Sequence, residues 1–303
     1  MPTRMPIVAG RFYPAEPDLL RQEVLAALAA APSAPDGPHS DGPRTGRLLG
    51  LMLPHAGYIY SGRVAGATLA CPWNDKGKDR WNDSTTGASL PQRLVLLCPN
   101  HTGQGHPLGV WPDGQWLTPL GSVPVDAAMA NGLCATGIFA PDTLSHLGEH
   151  SIEVLLPFLQ CLPQPPQGAR IITPVCVGEH RPQVLHKAGL ALAAAIKASQ
   201  NSGQDVGIIV SSDMNHYESQ QATIARDARV LQAALNCDPA ALLSTVAAEH
   251  SSMCGVRGLA LALFAAQELG SPRAELVTYD TSATASGDTS HVVGYAGLIL
   301  KLA

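Results

Sequence analysis

The fold is decided by a stretch that reads RLVLLCPNHTG, residues 93–103. Its first part, 93–98, is a nearly continuous apolar run that stops at a proline and a polar, glycine-containing turn. A short apolar run bounded by turn residues is typical of a strand that helices cover on both faces. The turn carries His101, so the same stretch predicts a buried strand and a candidate functional residue at its carboxyl end.

Similar apolar runs alternate along the chain with longer alanine- and leucine-rich segments of helical periodicity. This alternation predicts the α/β class, as a three-layer α/β/α sandwich in one domain spanning residues 1–303. The predicted strands are 47–53, 93–98, 170–177, 206–211, 275–279 and 291–302. The predicted helices are 18–30, 62–70, 126–136, 151–161, 182–199, 220–235, 239–248 and 255–269. Two polar segments, 31–45 and 72–92, interrupt the pattern, and we interpret them as surface insertions.

The composition argues against nucleic-acid and membrane partners. Charged residues make up 14% of the 303 positions, the net charge is -5, and basic residues form no block, which disfavours nucleic-acid binding. The longest apolar runs are shorter than the roughly 20 residues that cross a bilayer. Seven cysteines occur without a CxxC pair, which is typical of reduced thiols rather than a disulfide framework. We therefore expect a cytoplasmic protein.

Histidines follow three of the predicted strands. The segments are PHAGY at 54–58, PNHTG at 99–103 and SSDMNH at 211–216. Open α/β sheets place ligands beyond the carboxyl ends of their strands, so His55, His101 and the pair Asp213 and His216 are expected at one rim. A lone histidine after a strand is usually a loop or capping residue, but three such cases together favour a shared site.

Cys254 lies in SSMCG, residues 251–255, directly before a long predicted helix. A helix amino terminus lowers the pKa of a thiol and favours the thiolate, which is the form that binds metal. Two imidazoles and one thiolate would leave coordination positions open, as catalytic metal sites require. Taken alone, Cys254 is equally well explained as a small buried residue at a helix start.

Several short motifs occur in the order found in one family. They are AGRFYP at 9–14, PHAGY at 54–58, Asn100-His101, EHSIE at 149–153, SSD at 211–213 with His216, and Cys254-Gly255. Together they resemble the Memo family, in the bacterial branch called AmmeMemoRadiSam system protein B. The resemblance implies a fold similar to the LigB-like class III extradiol dioxygenases, which are non-haem-iron enzymes that cleave aromatic rings.

The resemblance also implies roles for individual residues. It makes His55, His101 and Cys254 the metal ligands, with the cysteine standing where the dioxygenases have a glutamate. Asp213 and His216 match the acid/base side of the pocket. His150 is placed near the pocket, where it would orient the substrate or a ligand. Because a thiolate is softer than a carboxylate, we expect one metal ion, iron or copper, with zinc as a further candidate, and ring cleavage does not transfer automatically.

Three functions are compatible with this site. The leading one is a metal-dependent redox enzyme that acts on oxygen or a small oxygenated substrate, with His216 moving a proton. The others are a binding module that captures a peptide or protein in a vestigial pocket, and a zinc hydrolase. Basic residues suited to capturing phosphate are scarce near the motifs, Arg63 and Arg257 being the nearest. The expected partner is a small molecule or peptide, and the family name suggests a pathway link to a radical-SAM protein.

The remaining motifs were given structural interpretations. Gly103-Gln104-Gly105 lacks the third glycine and the following helix of a dinucleotide fingerprint, so no nucleotide cofactor is expected. His180 lies beside a predicted helix, which suggests a surface or packing role. His291 begins the last predicted strand, and we expected it at the opposite end of the sheet from the site.

Overall fold

The computed structural model describes residues 2–29, 46–71 and 90–303. The predicted insertion 31–45 lies outside the described residues, as does 72–89 of the second insertion. The described strands are β1 (Thr3–Arg4), β2 (Arg47–Leu53), β3 (Arg93–Pro99), β4 (Leu108–Val110), β5 (Gln115–Thr118), β6 (Gly121–Pro124), β7 (Ala140–Pro141), β8 (Ile171–Val177), β9 (Val206–Ser211), β10 (His216–Glu218), β11 (Pro272–Thr281) and β12 (Val292–Leu302).

The helices lie between these strands. They are α1 (Pro17–Ala29), α2 (Tyr58–Ala70), α3 (Ala127–Cys134), α4 (Leu144–Leu147), α5 (Leu156–Cys161), α6 (Pro182–Asn201), α7 (Gln220–Leu235), α8 (Pro239–Ala248), α9 (Val256–Leu269) and α10 (Ala283–Ser286), with a 3-10 turn at Glu153–Leu155. Within the described ranges, none of these helices combines the length and the apolarity needed to span a bilayer.

The main sheet positions the candidate site. Its nine described strands run in the order β10-β12-β2-β9-β3-β8-β4-β7, with β11 pairing β12. Strands β2, β9, β3 and β8 are parallel neighbours, whereas β12 runs antiparallel to β2. Because the four parallel strands point the same way, the turns that follow them all lie along one edge of the sheet.

Helices cover both faces of the sheet. Along β3, Leu94 and Leu96 pack on one face with residues of α1, α2 and α5, while Val95 and Leu97 pack on the other with residues of α6 and α9. Residues that alternate between two buried faces explain the continuous apolar runs of the sequence. The predicted three-layer α/β/α fold is confirmed.

The predicted boundaries of several elements shift for physical reasons. Helix α2 begins at Tyr58 rather than Gly62, directly after the first site turn. The segment predicted as one helix at 151–161 is a 3-10 turn followed by α5, with Pro157 near the start of that helix. Strand β11 extends beyond 275–279 because it pairs with β12 along most of its length. These changes leave the architecture unaltered.

A buried ion pair fastens the beginning of the chain to the site region. Arg4 pairs with Glu153, and both side chains are almost completely excluded from solvent. The same carboxylate accepts hydrogen bonds from the backbone N–H groups of Ile7 and Val8 at 2.9 Å and from the Tyr13 hydroxyl at 2.7 Å. Burial and the Glu153 carboxylate raise the pKa of Tyr13, so its hydroxyl stays a donor. The AGRFYP segment is thereby held over the carboxyl edge of the sheet.

We predict that Gly66→Ala destabilises the protein. A Cβ at this position of α2 would lie 2.4 Å from the backbone oxygen of Ala27 in α1, which cannot move aside like a flexible side chain. Overpacking of this kind costs about 1 to 3 kcal/mol of the free energy of unfolding, measurable by urea denaturation. Gly132→Ala is the matched control: its Cβ meets no described atom within 4 Å in helix α3, so the substitution should stabilise by about 0.5 to 1 kcal/mol. Equal effects of the two substitutions would contradict the prediction.

Candidate metal centre

The turns after β2, β3 and β9 surround a cavity of about 800 Å³. All the residues proposed for the site from the sequence line this cavity: His55, His101, His150, Asp213, His216 and Cys254. Aromatic side chains of the AGRFYP and PHAGY segments, Phe12 and Tyr60, lie on its wall. The parallel arrangement therefore brings residues from distant parts of the sequence to one rim, as the strand ends predicted.

Three of these side chains converge closely enough to share one ion. His55, His101 and Cys254 each offer a ligand atom, and these atoms all lie within 4.8 Å of one another. The Sγ of Cys254 is 3.5 Å from the Nε2 of His55. Zinc, iron and copper bind imidazole and thiolate at roughly 2.0 to 2.3 Å, so three donors at this spacing suit a single central ion.

A serine fixes the tautomer of His55. The hydroxyl of Ser211 donates to the carbonyl oxygen of Ser151 at 2.7 Å, so its oxygen is left to accept from the Nδ1 of His55, also at 2.7 Å. Burial, reinforced by the neighbouring histidines, holds the pKa of His55 well below its usual value. The ring is therefore neutral, with its proton on Nδ1 and the lone pair on Nε2 available to a metal.

A carboxylate does the same for His101. The Nδ1 of His101 lies 2.9 and 3.0 Å from the two oxygens of Glu149, which also accept from the backbone N–H of His101 and from Ser151. Burial alone would raise the pKa of Glu149, but the hydrogen bonds and charge of His101 bring it down to about 2. A carboxylate that is always ionised keeps the proton on Nδ1 and leaves Nε2 as the metal-binding atom.

The thiol of Cys254 is held by the loop after β9. Its Sγ accepts a hydrogen bond from the backbone N–H of Asp213 at 3.2 Å, just before α9 begins at Val256. Enclosure by the protein, with the Asp213 charge, raises the pKa of the thiol. The expectation that the helix terminus lowers this pKa is wrong, because desolvation outweighs the helix dipole. A bound cation would supply the positive charge that a thiolate lacks here, so the donor set fits a metal.

The groups proposed for acid/base chemistry lie beside these three donors. Asp213 accepts from the backbone N–H of His55 at 2.8 Å, and burial raises its pKa. The His216 ring contacts the Ser252 hydroxyl, with Nδ1 3.2 Å from Oγ, and burial lowers the pKa of His216 while the Asp213 charge opposes that shift. Among the described contacts, Ser252 rather than Asp213 is the hydrogen-bond partner of the ring.

His150 forms part of the cavity wall. Its ring stacks on that of His101, with centroids 5.2 Å apart and planes 16° from parallel, and meets Phe12 edge-on at 4.9 Å. Burial lowers the pKa of His150, so its imidazole is neutral near pH 7. A neutral, half-buried imidazole can donate to or accept from a molecule in the cavity.

One histidine was assigned to the wrong end of the sheet. His291 lines the large cavity, although it was expected at the opposite edge. The reason is that β12 is antiparallel to β2, so the residue before β12 lies at the edge where β2 ends. Sequence reasoning also missed Ser211 and Glu149, even though Glu149 opens the EHSIE motif in which only His150 was considered.

A hydrogen-bond network joins the two loops that carry site residues. The side-chain oxygen of Asn215 accepts from the N–H and hydroxyl of Ser252 at 3.1 and 3.2 Å, and the Asn215 backbone N–H donates to Asp227 at 3.0 Å. The Tyr279 hydroxyl donates to the other oxygen of Asp227 at 2.8 Å. The turn bearing His216 and the segment that leads to Cys254 are therefore fixed to each other through Asn215.

We predict that Ser211→Ala weakens metal binding while leaving the ligands in place. Without the hydroxyl, the Nδ1 proton of His55 loses its acceptor, and loss of such a partner typically costs about 10- to 100-fold in metal affinity. Competition against a chromophoric chelator measures this change. The control is Ser244→Ala, since the Ser244 hydroxyl bonds only within α8, to the Ala241 carbonyl. An unchanged affinity in the Ser211 variant would show that the contact does not orient the ligand.

We predict that Asp227→Asn changes how stability depends on pH. Burial raises the pKa of Asp227 to about 6 despite its hydrogen bonds, so the carboxyl favours the folded state in acid and loses that contribution as pH rises through about 6. Asparagine does not titrate, so the variant should gain about 2 kcal/mol relative to wild type between about pH 4.5 and about pH 8. Urea denaturation at both values measures this gain. Asp205→Asn, at an exposed carboxylate, should show no comparable gain.

Comparison with known proteins agrees with the geometry. A family model for Memo-like proteins matches residues 4–299. MEMO1 family proteins from Thermotoga neapolitana and Desulfurococcus amylolyticus are 39% and 38% identical, each over 98% of this chain and 99% of the relative. A MEMO1 family protein from Methanopyrus kandleri is 35% identical with the same coverage. These matches confirm the resemblance found in the motifs, and the chain belongs to the Memo family.

Proposed function

We propose that this protein is a metal-dependent redox enzyme that acts on a small oxygenated substrate. The observation that carries the proposal is the convergence of His55, His101 and Cys254 at the floor of a large cavity, with both imidazoles held in the tautomer that presents Nε2. A purely structural metal site is usually closed by four protein ligands, whereas three donors facing a cavity leave room for a reactant.

The donor set favours a redox-active metal. Imidazole nitrogen and thiolate sulfur suit copper and iron as well as zinc, and the softness of the thiolate shifts preference away from the oxygen-rich sites that magnesium or calcium use. We propose iron or copper as the resident ion. When bound, such an ion supplies electron transfer and polarises an oxygen of the substrate.

The protein's own residues would bind the substrate and move its proton. The half-buried ring of His216 is held by Ser252 at the cavity wall, and its lowered pKa makes it a neutral proton acceptor near pH 7. The carboxylate of Asp213 stabilises the imidazolium form electrostatically after His216 takes the proton. His150 and Phe12 present ring faces and edges against which a planar substrate can pack.

The cavity favours an enzyme over a module that captures phosphorylated peptides. The basic residues that line it are few: Arg11 is at its wall, whereas Arg63 and Arg257 are not among its lining residues. Instead, the cavity combines three proton-exchanging groups with three metal donors, which a binding module does not need. Cys98 and Cys176 lie side by side as buried thiols on β3 and β8, which supports the proposal of a reducing, cytoplasmic environment.

Metal content tests the proposal directly. We expect anaerobically purified wild-type protein to carry close to one iron or copper ion per chain by elemental mass spectrometry. His55→Ala and Cys254→Ala should each abolish stoichiometric binding, because each leaves only two of the three donors. Cys134→Ala is the matched control, since this thiol lies in α3, away from the cavity. Full metal content in both site variants would contradict the assignment.

Oxygen consumption then separates the candidate functions. The metal-loaded protein should consume oxygen with phenolic or catecholic substrates, and His216→Ala should keep its metal but lower kcat by about 10²- to 10⁴-fold. Ester or phosphoester hydrolysis without oxygen consumption, with zinc bound, would replace the redox proposal with the hydrolase. A protein that cannot be loaded with any of these metals would leave the binding module as the better explanation.

A further inference from the structure

A second, smaller cavity lies where β8 ends, beside the turn that follows β3. Its volume is about 320 Å³, at the lower end of the range for small-molecule sites. Its wall includes Asn100, Gly105, Glu179, His180, Arg181 and Arg257. None of the residues lining this cavity also lines the large one, so the two are separate spaces on the same edge of the sheet.

The acidic residue of this cavity is already neutralised. The two oxygens of Glu179 accept from the Nε and Nη2 of Arg181 at 2.9 and 2.7 Å. One of them also accepts from the backbone N–H groups of His180 and Arg181. The Arg181 hydrogen bonds are the main reason that the pKa of Glu179 falls to about 2. Glu179 and Arg181 therefore form a bidentate pair with no net charge.

Arg257 has no such partner. Its side chain is half-buried in the wall, yet within the described part of the chain it forms no ion pair and donates no hydrogen bond, and Glu179 acts on it only through charge. A guanidinium has five N–H donors, and withdrawing them from water without a partner is unfavourable. The cavity therefore carries one uncompensated positive charge with unused donors.

We propose that this cavity binds a small oxyanion, a phosphate or a carboxylate, with Arg257 as its principal contact. A planar guanidinium matches both anions through two parallel N–H···O bonds. Glycine at 105 keeps the wall open, because a Cβ there would lie 2.2 Å from the Asp142 carboxylate. The backbone φ of 74° at Gly105 also favours glycine.

The position of the cavity links it to the metal centre. Asn100 directly precedes His101, and Arg257 follows Cys254 by one turn at the start of α9. An anion bound between these segments would contact two of the three that supply the metal donors. The proposal does not depend on the redox chemistry, because the anion is recognised by Arg257 alone among the site's cations.

Isothermal titration calorimetry of the purified full-length protein with inorganic phosphate and, separately, with malonate tests the proposal. Wild type should bind at least one of the two with a millimolar or tighter Kd at constant ionic strength, and Arg257→Met, which keeps the apolar stem, should weaken binding at least tenfold. Arg63→Met should bind like wild type, since Arg63 is exposed on α2 and lines neither cavity. The tighter of the two anions identifies the ligand class.

Two further variants make the result decisive. Glu179→Gln keeps an oxygen for the backbone N–H groups but removes the negative charge, so it should tighten anion binding severalfold. Cys254→Ala should leave binding intact, which distinguishes this cavity from an anion held by the metal. Absence of binding to wild type, equal binding by Arg257→Met, or a matching loss in Arg63→Met would each overturn the proposal.

Discussion

The hydrogen bonds of the Glu149 carboxylate are the constraint on which the rest of the site depends. This side chain is completely buried, and its two oxygens accept from the ring and the backbone of His101 and from Ser151. A buried charge is tolerated only when its hydrogen-bonding capacity is used, so the position of Glu149 dictates the conformation of the turn after β3. Ser151, held by Glu149, in turn accepts through its carbonyl the Ser211 hydroxyl that orients His55. One carboxylate thus coordinates both histidines.

The EHSIE segment does this because its two glutamates serve different parts of the molecule. Glu149 holds His101, whereas Glu153, one turn further on, pairs with Arg4 and with the backbone of the AGRFYP segment. His150 between them faces the cavity. The segment therefore joins the first residues of the chain to the metal-binding turns, and the cavity wall that includes Phe12 is assembled only when both glutamates are paired.

The sequence predicts the layers and the strand ends well, but not the contacts that cross the sheet. The run at 93–98 reads as a buried strand because both of its faces are apolar, and the histidine after it falls at the correct edge because the strands are parallel. The direction of β12 cannot be read from its composition, so His291 was placed at the wrong end. Glu149 and Ser211 lie 48 and 156 positions from the histidines that they orient, and no local pattern encodes such pairings.

The pKa of Cys254 shows why local rules fail at this site and what the thiol achieves there. A helix terminus acts over about one turn, whereas desolvation depends on everything that surrounds the group, and here desolvation prevails. The Cys254 thiol accepts from the Asp213 N–H, next to a buried carboxyl group. A second carboxylate in place of Cys254 would add like-charge repulsion in an enclosed space. A thiol can remain protonated until a cation arrives, so the fold can assemble the site without first burying two adjacent negative charges.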